Sequence, residues 1–114
     1  MSAVVEAVDR LVEQIVAAVH RLRIVLFGSA ARDEAGPHSD LDVLVVMPEG
    51  THTRRTSQFL HQQLRHIGRP VDIIVATPSI LRRHRHNIGL IYKRILDEGR
   101  EVYAAEPTGA GQPR

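Results

Sequence analysis

Three short apolar runs, each bounded by a residue that breaks regular structure, constrain what this chain can fold into: Ile24 to Phe27 before Gly28, Leu41 to Met47 before Pro48, and Val71 to Ala76 after Pro70. Runs of this length, rich in Val and Ile, read as strands, and the first as a strand buried on both faces. The segments between them carry a different period. Val4, Val8, Leu11, Val12, Ile15 and Val19 recur at intervals of three and four, with Glu6, Arg10, Glu13 and Gln14 elsewhere on the wheel, which predicts an amphipathic helix over residues 3 to 20. Phe59, Leu60, Leu64 and Ile67 predict a second helix over Thr53 to His66, with Arg54, Arg55, Gln58 and Arg65 facing water. Thr77 as N-cap and Pro78 at the first helical position start a third toward Arg85. A fourth runs from Ile88 to Glu98 before Gly99, and Glu101 to Ala104 add a short strand. The expectation is an α/β fold, a small mixed sheet backed by helices on one face.

At 114 residues there is room for one core. The domain is expected over residues 1–105, followed by a disordered tail over 106–114, rich in Gly and Pro. No repeat is visible. Four aromatic residues leave the core to Val, Ile, Leu and Ala. With no cysteine, disulfides and thiolate metal sites are excluded, and the seven His form no evident metal set. The amino terminus lacks the pattern of a signal peptide and no run approaches the length of a membrane span, so the expected location is the cytoplasm, with no membrane partner. Fourteen Arg and one Lys against 13 acids make the chain mildly basic. Such a surface suits nucleotide phosphates or an acidic protein, and nucleic acid ranks last among the partners.

Two carboxylates interrupt the second apolar run at its start. Asp40 and Asp42 are two residues apart, and strand side chains alternate faces, so both project from the same side. Like charges this close need something positive between them, and hard oxygen ligands favour magnesium or manganese over zinc. Asp72 interrupts the third run in the same way. It is either a surface residue of an edge strand or, if that strand lies beside the second, the third acid of a cluster with room for two metal ions. Gly28 lets the backbone approach a phosphate, and the Ser29 hydroxyl and nearby amides offer hydrogen bonds to it. Together these parts read as phosphoryl or nucleotidyl transfer.

Gly28-Ser29, ten intervening positions, Asp40-Leu41-Asp42 and the apolar Val43-Leu44-Val45-Val46 resemble the signature of the DNA polymerase beta-like nucleotidyltransferase superfamily. The resemblance covers most of the chain and is closest to the minimal nucleotidyltransferases. They share the amino-terminal helix, a third acid in a Val-Asp-Ile strand, and an ending like Asp97-Glu98-Gly99-Arg100-Glu101-Val102-Tyr103. It implies catalytic and metal-binding roles for Asp40, Asp42 and Asp72, with magnesium as the ion, and binding of a nucleoside triphosphate, ATP, by Gly28 and Ser29. Arg32 matches an Arg common in the family and would contact phosphate or acceptor; an ion pair with Asp33 or Glu34 is its other reading. Asp33 departs from the Gly of many relatives but tolerates the left-handed conformation.

What remains after the catalytic core is enough for one or two helices, so the acceptor is expected from elsewhere. Minimal nucleotidyltransferases of this appearance are often antitoxins of HEPN-type ribonuclease toxins, adding AMP to a toxin tyrosine. The resemblance thus implies a type VII-like antitoxin, a protein adenylyltransferase working in a homo- or hetero-oligomer. The alternatives are a masking antitoxin without catalysis, and a small-molecule nucleotidyltransferase, of aminoglycosides for instance, that needs a separate helical subunit. Among other residues, His38 reads as a substrate contact or a loop residue. Arg82 to His86 are a basic cluster or a solvated helix face, and Tyr92 and Tyr103 are packing residues.

Overall fold

The computed structural model describes residues 3–32, 39–84 and 91–105. The elements follow the order α1 (Ala3–Ala18), β1 (Arg23–Phe27), β2 (Leu41–Val46), α2 (Thr53–Gln63), β3 (Val71–Ala76), α3 (Pro78–His84), α4 (Ile91–Glu98) and β4 (Arg100–Ala104). The expected tail and the loop around His38 lie outside the described residues, as do residues 85–90. The α/β class and the mixed sheet are as the sequence predicts. The strand order is β3-β2-β1-β4, with β2 parallel to β3 and β1 antiparallel to both β2 and β4.

The layering differs from the one-face expectation. Ile24 and Leu26 of β1, Leu41, Val43 and Val45 of β2, and Ile73 and Val75 of β3 pack with Ala7, Leu11 and Ile15 of α1 and Leu60 of α2. The alternate residues, Val25, Leu44 and Ala76, pack with Leu81 of α3 and Ile95 of α4. Both faces of the central strands are therefore covered, the consequence of runs that are apolar at every position instead of every second one.

The second helix is shorter than its apolar spacing predicts. It starts with His52, whose Nδ1 accepts from the Arg55 amide at 3.2 Å, and it gives way at Leu64, which is extended. Tertiary bonds replace the missing helical turn. Gln14 on α1 donates to the Arg65 carbonyl at 2.6 Å and accepts from the Arg65 amide at 2.7 Å, and Arg10 donates to the His66 carbonyl at 2.8 Å. Leu64 and Ile67 still pack on the core, from a loop. Phe59, placed on the packed face by the same spacing, is 43% exposed.

At the end of β2, the Glu49 carboxylate accepts from both the amide and the hydroxyl of Ser79, each at 2.8 Å, which ties the strand's exit to the start of α3. Thr77 Oγ1 accepts from the Ile80 amide at 3.4 Å, the expected cap. At the other helix, Gly99 donates to the Ile95 carbonyl at 2.7 Å and lies on β1 so closely that a methyl group there would sit 2.5 Å from both the Ile95 carbonyl oxygen and Val25 Cγ1. Neither neighbour is a flexible chain end. Gly99→Ala is therefore expected to cost about 1–3 kcal/mol in denaturant unfolding, by prying α4 from the sheet.

Candidate functional site

The pairing of β2 with β3 is in register, Leu41 opposite Val71 and Asp42 opposite Asp72. Both acids have the parity of Leu44, Val46, Ile74 and Ala76, so they stand on the face covered by α3 and α4, at the end where both strands begin. Asp42 is half-buried, while Asp40 and Asp72 are exposed. Burial pushes the Asp42 carboxyl above its ordinary range, and the charges of Asp72 and then Asp40 push it further. The sheet thus brings the three acids predicted from sequence to one place.

Strand β1 runs antiparallel and ends where β2 begins, with Phe27 opposite Asp42. Gly28 follows at φ +75°. Its open side faces the acid: an added Cβ would lie 2.5 Å from Asp42 Oδ2. A side chain here meets both the left-handed penalty and the carboxylate, so glycine is required twice over. The Ala31 amide donates to the Gly28 carbonyl and the Arg32 amide to the Ser29 carbonyl, both at 3.2 Å, which makes the short turn expected after the strand. Ala30 anchors it in the core at 2% exposure, leaving Ser29 half-buried beside Gly28.

Arg32 lies 3.9 Å from Glu98 of α4, a carboxylate also 3.6 Å from Arg94. Its ion pair with α4 is one the sequence does not suggest, and Asp33 and Glu34 lie outside the described residues. An exposed pair of this length is weak, so it restrains Arg32 little. His84 stacks on Tyr92 with ring centroids 5.7 Å apart and planes at 18°, joining the end of α3 to α4. Tyr92 and Tyr103 are both half-buried against the core, the packing role expected for them. Arg69, whose Nη1 donates to the Ser39 carbonyl next to Asp40 at 3.4 Å, has no signature in the sequence.

The donor set suits a hard divalent cation, because it consists of carboxylate oxygens, and two of the acids raise the proton affinity of Asp42. Among the described residues no three acidic or His side chains already close into a cage. Three like charges do not draw together by themselves. Asp40, Asp42 and Asp72 are the residues that would hold such an ion, and Gly28 and Ser29 the ones beside it that can receive phosphate oxygens.

The model of a family described as a nucleotidyltransferase domain matches residues 4–102. A crystal structure from Sulfolobus solfataricus, of a protein provisionally assigned as a nucleotidyltransferase, superposes with a TM-score of 0.59 at 18% identity, covering 91% of this chain and 89% of that one. At that identity the likeness is one of fold. No curated protein sequence matches significantly. Among the described residues no helix is long and apolar enough to cross a membrane.

The raised Asp42 gives a signed expectation. A carboxyl whose folded-state pKa exceeds its unfolded value contributes stability at low pH that is lost as the pH rises through the folded value. At neutral pH the charged Asp42 therefore opposes folding. Asp42→Asn should melt higher than the wild type at pH 7, by up to about 4 °C given the partial exposure, with the gap closing as the pH falls below the ordinary aspartate range. Thermal melts of the two proteins across that pH range check it, and a lower melting point for the variant at pH 7 contradicts it.

Proposed function

Because the chain belongs to the nucleotidyltransferase domain family, the matching model spanning most of its length, we propose that it transfers AMP from ATP to a tyrosine hydroxyl of a HEPN-type toxin, in the cytoplasm, and so serves as the antitoxin of that pair. The observation that carries the catalytic part is the half-buried Asp42, flanked by Asp72 and Asp40 and overlain by Gly28. A masking protein has no use for three acids at one sheet end, two of which raise the proton affinity of the third.

In this reading Asp40, Asp42 and Asp72 hold magnesium, which when bound offsets the charge of the triphosphate and of the departing pyrophosphate. Gly28 and Ser29 receive phosphate oxygens, the first by leaving its backbone accessible and the second through its hydroxyl. Asp72, exposed where β3 begins, takes the proton of the acceptor hydroxyl. The acceptor oxygen forms a bond to the α-phosphorus, the bond from that phosphorus to the bridging oxygen breaks, and pyrophosphate leaves with the electron pair. The protein acceptor is supported by the resemblance to minimal nucleotidyltransferases, and by the exposure of Asp40 and Asp72, which an incoming protein surface can reach.

The test is incubation of the full chain with ATP, magnesium and the product of the neighbouring gene, followed by intact-mass measurement of that product. The expected result is a gain of one or more AMP units on tyrosine, reduced on the order of a hundredfold or more in rate by Asp40→Asn with Asp42→Asn. Equal labelling by the variant overturns the assignment of the acids. Neutralisation of the toxin by both proteins, without any labelling, overturns catalysis in favour of masking.

A further inference from the structure

Of the three acids at the sheet end, Asp40 is the one that lies outside the strands. Asp42 and Asp72 sit within β2 and β3 as a registered pair, whereas β2 begins at Leu41, one residue after Asp40. Strand register therefore aims two of the carboxylates and leaves the third, which is exposed, to be aimed by something else. A cation shared among several carboxylates requires each of them to be held near its place, because misaimed ligands bind weakly.

The chain on either side of Asp40 is held from the segment that leads into β3. Arg69 Nη1 donates to the Ser39 carbonyl at 3.4 Å, and the Leu41 amide donates to the Pro70 carbonyl at 2.9 Å. The Ser39 carbonyl belongs to the peptide plane that enters Asp40, and the Leu41 amide to the plane that leaves it. With both planes tied down, the α-carbon between them has little rotation left, and the direction in which the Asp40 side chain departs is set. The two partners are adjacent residues, three and two positions before Asp72, so Asp40 is referred to the same segment that carries the third acid. That segment is itself fixed. Ile67 is buried in the core, Gln14 holds the Arg65 backbone from both sides, Arg10 holds the His66 carbonyl, and Pro70 has little freedom in φ. Arg69 reaches from this base as a half-buried side chain with a planar donor group.

We propose that Arg69 is a positioning residue for metal binding: through the Ser39 carbonyl it holds the Asp40 backbone where the carboxylate can join Asp42 and Asp72 on one ion. This role rests on the reading of those acids as the ligands of the ion. It is exerted by the donor, not by the charge, and the two have opposite signs. Loss of a positive charge beside the site, paired or not, tightens the binding of a divalent cation, whereas loss of the donor loosens it.

The probe is manganese(II) titrated into the full chain without nucleotide, the free ion being read by electron paramagnetic resonance and the folded state of each variant confirmed by a cooperative thermal melt. Arg69→Met keeps the side-chain stem and removes the donor. It should weaken manganese binding about three- to tenfold, the scale of one modest hydrogen bond. In an Asp40→Asn background the same substitution should add no further loss, and in an Asp72→Asn background it should cost the same factor as in the wild type. If Arg69→Met does not fold, Arg69→Gln, whose shorter side chain leaves the carbonyl unbonded, takes its place. Tighter or unchanged binding by the Arg69 variant, or an equal loss in the Asp40→Asn background, overturns the positioning role and leaves the acids as ligands. Manganese affinity that Asp40→Asn does not change overturns the ligand role of Asp40, and the positioning role with it.

Discussion

Everything at the candidate site depends on the register of one parallel strand pair. Asp42 faces Asp72 only because Leu41 pairs with Val71 and every later residue follows in step to Val46 and Ala76. A slip of one residue would turn Asp72 toward α1 and α2, since side chains alternate faces. Packing forbids the slip from both sides. Ile73 and Val75 are buried under the first two helices while Ala76 is buried under the last two, so no shifted pairing keeps both sets covered. The ladder also continues past the strands, from the Leu41 amide to the Pro70 carbonyl at 2.9 Å and from the Met47 amide to the Ala76 carbonyl at 2.8 Å. Apolar burial thereby holds two like charges opposite each other, and the raised Asp42 records what that costs.

The third strand of the site enters from the opposite direction. Because β1 is antiparallel to β2, it delivers its last residue to the first acid of its neighbour, and the turn that follows lies directly on the Asp42 carboxylate. The Gly28-Ser29 turn and the acids are therefore parts of one contact. Any change that moves Gly28 moves the carboxylate. Ala30, buried at the turn, and Gly99, pressed between α4 and β1, fix that contact from below and from the side.

Much of this was legible in the chain because it is written in local pattern. The apolar runs marked the first three strands, β3 to the residue, and the interrupting acids marked the sheet end where the candidate site lies. Thr77 and Pro78 announced a helix start by their own backbone preferences. The failures share a cause, which is competition from residues distant in sequence. The second helix ends early because Gln14, fifty-one positions before Arg65, takes over its backbone hydrogen bonds. Phe59 has helical spacing but is left 43% exposed, because spacing alone does not say which flank of a helix meets the sheet. Glu49 caps a helix thirty residues onward. Helices on both sheet faces could have been foreseen, since a strand apolar at every position has two faces to cover.

The two ends of β2 and β3 have been put to different uses, and the difference is electrostatic. At the far end the start of α3, where backbone amides point outward, is already satisfied by Glu49, with Arg82 3.8 Å from the same carboxylate. That corner is neutralised from within the protein. At the near end Asp42 and Asp72 stand on the α3 and α4 face, while the loop of Arg65 and Arg69 packs through Leu64 and Ile67 on the α1 and α2 face, with Arg69 reaching the Ser39 carbonyl beside Asp40. Had Arg65 and Arg69 faced Asp42 they would have paired with it and held its carboxyl down; instead the influences on Asp42 are burial and its two acidic neighbours. Strand alternation, the same rule that sorts the core into two layers, sets Asp42 and Asp72 on one face, where a cation brought to them would offset their charge.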